Sequence, residues 1–312
     1  MNIIYMGTPA FSLLPLQAIS EAGHNICGVV CQVDKANARG NKIEFCPTKK
    51  WALENGVQVF QFEKLKNADL TELQNLKADV IITCAYGQIL PQSVIDMCKY
   101  GVINIHSSLL PKYRGASPVS ACLLAGDLVS GITIMQTSIG MDDGDILYQE
   151  QIELDKRENS ITLSNKLSEL GAKCICKVLA NFNYYRKNAK KQDESLVSFS
   201  KKITKQDAQI NFKNDAITVI NSIKAYALNP TAYFMYNNKR FKVYNAELTD
   251  FKVSSQVKGG EVLACDKSNG LIIASGDKKA ISILEIQAPN GKVMQIKNFI
   301  NGNKFYVGEV CY

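Results

Sequence analysis

The first 185 residues alternate short apolar runs with stretches of helical spacing, and this alternation constrains the fold more than any other feature. The run Val80–Cys84 is apolar on both faces, which is typical of strands buried in parallel sheets. Similar runs predict further strands at 3–6, 26–31, 102–105 and 131–137. A helix is expected over Phe11–Ile19. The pattern predicts an α/β fold: a Rossmann-like, mostly parallel sheet with flanking helices.

A change of pattern divides the chain into two domains, as its length of 312 residues also suggests. A helical pattern begins at Asn159 and Ser160, a favourable N-cap pair, and ends the first domain near Phe182. A polar, Lys-rich stretch follows and indicates a linker. We therefore expect a domain over 1–184, a linker over 185–206 and a second domain over 207–312.

The second domain is expected to be a small β-barrel. One helix over 216–227 precedes a hairpin, with strands at 233–236 and 241–244 around an Asn237–Asn238 turn. Further strands are predicted at 260–264, 271–274 and 281–286. Several short strands within about 90 residues are typical of a small barrel.

Charge is distributed unevenly between the two parts. Residues 1–185 contain 16 Lys and Arg against 18 Asp and Glu, a net of −2, whereas residues 186–312 contain 20 against 11, a net of +9. A basic domain favours a polyanionic partner, and solubility charge in a Lys-rich organism is the alternative explanation. On the second hairpin strand Arg240, Lys242 and Tyr244 share one face, a pattern that suits nucleic acid or merely a solvated face.

Targeting and membrane signals are missing from the sequence. No apolar run approaches the roughly 18 residues that a membrane helix needs, and the start Met1–Tyr5 has no cationic prefix, so we expect a strand there and no signal peptide. The ten Cys include no C-x-x-C pair and are interpreted as reduced, mostly buried thiols. These features predict a cytoplasmic enzyme.

The two His residues of the chain narrow the search for chemistry. His24 lies between a helix and a strand and is interpreted as a surface turn residue. His106 ends a predicted buried strand, where open α/β sheets place their ligands. Asn104, two residues earlier, points to the same side. An amide donor beside an imidazole can polarise a carbonyl group and move protons.

The loop over 141–145 offers carboxylates that could orient the imidazole, namely Asp142, Asp143 and Asp145. A metal site there is disfavoured because no ligand set with metal-type spacing accompanies the loop. A polar loop near a chance histidine is the remaining alternative. The turn Gly7–Pro9 matches no phosphate-binding motif, so we expect no bound nucleotide cofactor.

These residues resemble the folate-dependent formyltransferases, and most closely the branch that acts on methionyl-tRNA. Residues 104–111 read Asn-x-His-x-Ser-Leu-Leu-Pro, and Asp142 follows His106 by 36 residues. The resemblance runs from residue 1 to about residue 305. Flanking motifs that select the tRNA-specific branch lie at 6–11, 85–91, 124–127, 193–197 and 287–294.

The resemblance implies transfer of the formyl group of 10-formyltetrahydrofolate to the α-amino group of initiator methionyl-tRNA, as in translation initiation. Asn104 would stabilise the oxyanion, His106 would mediate proton transfer, and Asp142 would assist it. Folate would be a cosubstrate, with no metal and no tightly bound cofactor. The implied folate-binding residues are Ser108, Leu109, Leu110, Pro111, Tyr86, Gly87, Gln88, Ile89, Leu90, Ile139, Gly140 and Asp145.

The resemblance also implies where transfer RNA would bind. The segment 32–42 corresponds to an insertion that enters the acceptor stem in this family, although without the family resemblance the sequence favours a mobile surface loop. The second domain would be an OB-like barrel that grips the RNA backbone. The implied tRNA-binding residues are Lys35, Arg39, Lys42, Arg240 and Lys242. We expect a monomer.

Two other interpretations stay open on the sequence. A 10-formyltetrahydrofolate hydrolase or a sugar-nucleotide N-formyltransferase would share Asn104, His106 and Asp142. A non-enzymatic RNA-binding protein would keep the basic domain but would not need the amide and imidazole pair. The basic second domain and the Lys and Arg residues at 35–42 favour the tRNA enzyme.

Overall fold

The computed structural model describes residues 1–34 and 44–312. The chain forms two compact units, and each is assembled from separate segments. The first consists of Met1–Pro118, Val129–Glu153 and Ser164–Ser200; the second consists of Val119–Leu128, Leu154–Leu163 and Lys201–Tyr312. The division at 184 and 206 stays a prediction, but residues 185–200 of the predicted linker belong to the first unit and residues 201–206 to the second.

The strands of the first unit are β1 (Asn2–Gly7), β2 (Asn25–Cys31), β3 (Val59–Gln61), β4 (Val80–Cys84), β5 (Val102–His106), β6 (Arg114–Gly115), β7 (Val129–Gln136), β8 (Ile146–Glu153) and β9 (Phe199–Ser200). Seven of them form one sheet in the order β3-β2-β1-β4-β5-β7-β8. The five strands from β3 to β5 run parallel, and β7 and β8 are antiparallel to their neighbours. A short parallel pair, β6 with β9, lies outside this sheet.

Helices cover the sheet because its central strands are apolar on both faces. Every residue of β4 is buried, and Ile3, Ile81 and Ile103 are fully inaccessible. Burying a side chain of this size contributes about 1.5–3 kcal/mol. The helices of the first unit are α1 (Leu13–Glu21), α2 (Pro47–Glu54), α3 (Thr71–Asn75), α4 (Gln92–Ile95), α6 (Ser160–Ala180), of which residues 164–180 belong to this unit, and α7 (Phe182–Lys187). From Val119 onward, α5 (Pro118–Ala125) belongs to the second unit.

The second unit contains α8 (Ala216–Ala225), β10 (Tyr233–Tyr236), β11 (Lys239–Thr249), β12 (Val262–Asp266), β13 (Gly270–Ala274), β14 (Ala280–Gln287), β15 (Val293–Gln295) and α9 (Ile296–Phe299). Its strands form an antiparallel sheet in the order β10-β11-β14-β13-β12, with β15 also paired to β14. Asn237 and Asn238 have φ of 47° and 59°, so they form the tight hairpin turn that their sequence predicts. Phe234, Phe241 and Phe305 pack together in its core.

The predicted fold class is confirmed in both units: a mostly parallel sheet with helices and a small antiparallel sheet of the barrel type. The second sheet is curled into a half-barrel, with β10 and β12 at the ends of its pairing order, and β11 is bulged near Asn245. Within the described part of the chain, no helix is both long and apolar enough to span a membrane.

Candidate active site

Asn104 and His106 project from the same face of β5, because residues two apart on a strand do so. The neighbouring strand β4 fixes the amide orientation of Asn104: Thr83 Oγ1 donates to Asn104 Oδ1 at 3.0 Å. The amide nitrogen is therefore turned the other way, where Asn104 Nδ2 lies 3.4 Å from Asp142 Oδ1. Asn104 is half-buried, so its N–H groups are within reach of a ligand.

The imidazole of His106 is buried, with 5% of the residue exposed. Its Nε2 lies 3.1 Å from the carbonyl oxygen of Tyr113. Because a carbonyl oxygen can only accept a hydrogen bond, this contact places the hydrogen of the neutral imidazole on Nε2. Nδ1 is then the nitrogen that can gain or lose a proton, and it faces Asp142 Oδ2 at 3.7 Å.

Asp142 is the carboxylate of the loop that reaches both side chains. Its Oδ2 also accepts from the backbone N–H of Gly115 at 2.8 Å, and 21% of its side chain is exposed. Its φ of 49° is in the left-handed region, which costs energy for a residue with a Cβ atom. Asp143 instead accepts a hydrogen bond from Ser138 within the loop.

Two glycines allow the backbone around Asp142 to take this path. A Cβ atom on Gly144 would lie 1.8 Å from the carbonyl oxygen of Gln136. Gly115, at a φ of +113°, would place a Cβ atom 2.4 Å from the carbonyl oxygen of Ser200. Substitution at either position would displace the loop or the N–H group that holds Asp142.

The residues expected to bind folate divide into two groups. Ser108 and Leu110 are buried, and Ser108 Oγ donates to the Lys112 carbonyl at 2.6 Å. Tyr86 is buried as well, and both polar atoms of Gln88 bond to the backbone of Phe62 and Leu65. The others reach the surface at least partly: Ile89 is 85% and Ile139 65% exposed, Gly87 and Gly140 are exposed, and Leu90, Leu109, Pro111 and Asp145 are half-buried.

Of the residues expected to bind tRNA, Lys35, Arg39 and Lys42 lie outside the described residues. Arg240 is exposed and its guanidinium stacks over the ring of Tyr233, 4.1 Å from the centroid. Lys242 is half-buried on the same face of β11, whereas Phe241 and Val243 are buried on the other. The alternation predicted for this strand is therefore confirmed.

Four groups that hold the trio of Asn104, His106 and Asp142 in place were not predicted from the sequence. They are the hydroxyl of Thr83, the Tyr113 carbonyl, the Gly115 N–H and the side chain of Gln192. Within residues 1–34 and 44–312, the His, Cys, Asp and Glu side chains form no group of three or more suited to a metal ion. A surface cleft of about 460 Å³ is lined by residues 61–64 and 67–69 and does not include the trio.

Comparison with known proteins identifies the family. Residues 1–179 match the formyl transferase family and residues 202–304 match the formyl transferase C-terminal domain. The chain belongs to the formyl transferase family, so the predicted resemblance and enzyme class are confirmed. A methionyl-tRNA formyltransferase of Fusobacterium nucleatum is 38% identical over 99% of both chains, and one of Sulfurihydrogenibium is 33% identical over 99% of both.

Solved structures agree on the fold. WlaRD, a sugar 3N-formyl transferase, superposes with a TM-score of 0.67 at 22% identity, covering 94% of this chain and 99% of that one. The methionyl-tRNA formyltransferase of Clostridium thermocellum superposes with a TM-score of 0.54 at 15% identity, covering 81% of this chain and 95% of that one. At these identities the structures establish the shared fold only.

Proposed function

We propose that this chain transfers the formyl group of 10-formyltetrahydrofolate to the free α-amino group of initiator methionyl-tRNA. The convergence of Asn104, His106 and Asp142 is the observation that supports formyl transfer. The full-length relatives, 33–38% identical and named methionyl-tRNA formyltransferases, support the acceptor. The fold alone would not separate this acceptor from an amino sugar.

Asn104 stabilises the negative charge that develops on the formyl oxygen when the amine adds to the formyl carbon. Thr83 holds the amide oxygen, so the Nδ2–H groups are the donors available to that oxygen. Because the amide is already oriented, little reorganisation accompanies the reaction. One donor of this kind contributes about 3 kcal/mol to the transition state.

His106 and Asp142 move the proton that the reaction displaces. A bond forms between the α-amino nitrogen and the formyl carbon, the bond from that carbon to the folate nitrogen breaks, and one proton passes from the first nitrogen to the second. Nδ1 of His106 faces Asp142, so a proton taken up there lies next to a carboxylate that stabilises the imidazolium.

The folate cosubstrate would lie against the loops that flank the trio. Ile89 and Ile139 are largely exposed although they are apolar, which suits contact with a flat ring system. The predicted residues from Tyr86 to Leu90, from Ser108 to Pro111, and Gly140 and Asp145 form these loops and supply mainly backbone groups and shape. No tightly bound cofactor is part of the proposal.

The tRNA partner is assigned to two basic segments. Arg240 and Lys242 present cations on the sheet of the second unit, and Lys35, Arg39 and Lys42 would contact the acceptor stem. Contacts of this kind with phosphates supply most of the affinity and little of the sequence selectivity. A monomeric state, a cytoplasmic location and independence of metal ions stay predictions.

The experiment that tests the proposal compares three acceptors. Purified protein is given 10-formyltetrahydrofolate labelled in the formyl group, with charged initiator tRNA, with an amino-sugar nucleotide, or with water alone. We expect label on methionyl-tRNA at a rate that far exceeds the other two. Label on the amino sugar alone would indicate the activity named for WlaRD, and free labelled formate alone would indicate a hydrolase.

A further inference from the structure

The segment 190–200 packs along the loops that form the candidate site. Lys190 and Ile146 exchange two backbone hydrogen bonds at 2.7 and 2.9 Å. Further along, Ser198 accepts from the N–H of Arg114 at 2.9 Å, and β9 pairs with β6. Both ends of the segment are thus anchored beside the site, and Gln192 lies between these anchors.

Gln192 bridges the turn that carries Asp142. Its Nε2 donates to two carbonyl oxygens, those of Asp142 and Gly144, each at 2.8 Å. Gln192 is 9% exposed, so these hydrogen bonds have little competition from water. One side chain therefore closes the turn at the residue whose carboxylate faces His106.

Arg114 fixes which way the Gln192 amide points. Arg114 Nε donates to Gln192 Oε1 at 3.0 Å, and a guanidinium can only donate. A flipped amide would place its NH₂ group against the guanidinium and its oxygen against two carbonyls. The Arg114 side chain is 5% exposed, and its other partner Glu194 is 72% exposed, so the Gln192 contact is the buried one.

We propose that Gln192 is a positioning residue for formyl transfer, acting through Asp142. This inference rests on the proposed function of the same site. Asp142 has a strained backbone at a φ of 49°, and such conformations persist only where neighbouring groups hold them. Gln192 supplies that restraint from the backbone side, while the Gly115 N–H holds the carboxylate from the other.

The variant Gln192→Met keeps the length of the side chain and removes all three hydrogen bonds. We expect kcat to fall about 10- to 100-fold, because small displacements of a reacting group have effects of this size. KM for both substrates should change less than about threefold, since the polar atoms of Gln192 are engaged by Arg114, Asp142 and Gly144. Gln192→Asn, which is shorter and retains an amide, should give a smaller loss of kcat and provides a milder variant if Gln192→Met folds poorly.

Gln136→Met is the matched control. Gln136 Nε2 also bridges two backbone carbonyls, those of Tyr100 and Val102, at 3.2 and 3.0 Å. Its loss should lower the thermal midpoint about as much as Gln192→Met, while kcat stays within about threefold of wild type. Equal losses of kcat in the two variants would show that Gln192 is merely structural.

A double-mutant cycle isolates the route through Asp142. On an Asp142→Asn background, adding Gln192→Met should reduce kcat less than about threefold further, because the carboxylate it positions is already gone. The same fold-loss in both backgrounds would overturn the proposal. Wild-type protein that does not formylate methionyl-tRNA would instead refute the proposed function.

Imidazole NMR tests positioning without any turnover. The chain has two His residues, so His106 can be assigned with His24 as an internal reference. Gln192→Met should move the His106 ring resonances and leave those of His24 in place, and Gln136→Met should move neither. Unchanged His106 resonances in folded Gln192→Met or Gln192→Asn would contradict the inference even if wild-type protein were inactive.

Discussion

The candidate site of the first unit and the basic face of the second unit use their residues in opposite ways. At the site, His106, Asp142 and Gln192 are held by short contacts to backbone groups, with glycines at the tight positions. On the basic face, Arg240 is exposed and held mainly by stacking on Tyr233. Because the geometry of the site is fixed, we expect each of its residues to be critical for turnover. Because the charge of the basic face is dispersed, we expect the loss of any one cation to have little effect on tRNA affinity.

The largest expected effect is that of His106→Ala. The turnover number for formyl transfer should fall at least about a hundredfold, because alanine has no imidazole nitrogen to carry the proton. The affinity for tRNA, measured by filter binding, should stay nearly unchanged.

His24→Ala is the control for that variant. His24 contacts the N-terminal amino group at 3.3 Å, and burial together with that ammonium lowers the pKa of its imidazole. It has no contact with the trio, so turnover should match wild type. A parallel loss of tRNA affinity in His106→Ala would place His106 in the binding surface and erase the contrast between the two regions.

Added salt should weaken tRNA binding by the basic face of the second unit and leave turnover at the candidate site nearly unchanged. The affinity for tRNA should fall at least about tenfold between 50 and 200 mM salt, with a slope near the number of phosphates contacted. The turnover rate at saturating tRNA should change little over the same range. Binding that is independent of salt would remove the role assigned to the basic face.

Single charge removals should have modest effects. Lys242→Ala should weaken tRNA binding about fivefold or less and reduce the salt slope by about one, without a change in kcat. Lys66→Ala, which removes an exposed lysine from the first unit, is the control and should leave the affinity unchanged. A loss of more than about a hundredfold from Lys242→Ala alone would show that this face also depends on one fixed contact.

The smallest expected effect concerns acid stability around Asp207 in the second unit. Hydrogen bonds from Thr204, aided by Lys201, lower the pKa of Asp207 to about 2. The ionised carboxylate therefore stabilises the fold above its ordinary pKa of 3.8, and this stabilisation disappears as the pH falls through about 2.

The variant Asp207→Asn tests whether the ionised carboxylate stabilises the fold. Thermal unfolding at pH 6 should show a midpoint about 1–2 °C below wild type, and the difference should shrink at pH 3. A difference that grows as the pH falls would mean that the carboxylate is not stabilised in its ionised form. Activity should be unaffected at pH 7.

Much of the fold could be predicted because the spacing of apolar residues along the sequence indicates which residues are buried. The predicted strand Val80–Cys84 has the same bounds in the structure, and the hairpin turn forms at Asn237 and Asn238 as predicted. Strand β8, Ile146–Glu153, was not predicted, because an edge strand with polar residues at half-buried positions has no such pattern. The short strands β6 and β9 depend on pairing across more than 80 residues, which local sequence does not report.

The candidate site shows the same limit. Spacing along one strand predicted that Asn104 and His106 share a face, and the structure shows this. Residues alone left three carboxylates open, and only the folded loop separates Asp142 from Asp143. Gln192 lies 50 residues beyond Asp142 in a polar stretch that resembles a linker, so no local signal marks it.

The most direct test of the whole account is a single-turnover measurement on Asn104→Ala. With methionyl-tRNA and 10-formyltetrahydrofolate bound at saturation, we expect the rate of formyl transfer to fall about a hundredfold, equivalent to one lost oxyanion donor. The dissociation constant for tRNA should match that of wild type. A transfer rate close to wild type would contradict the assignment of this site to the reaction.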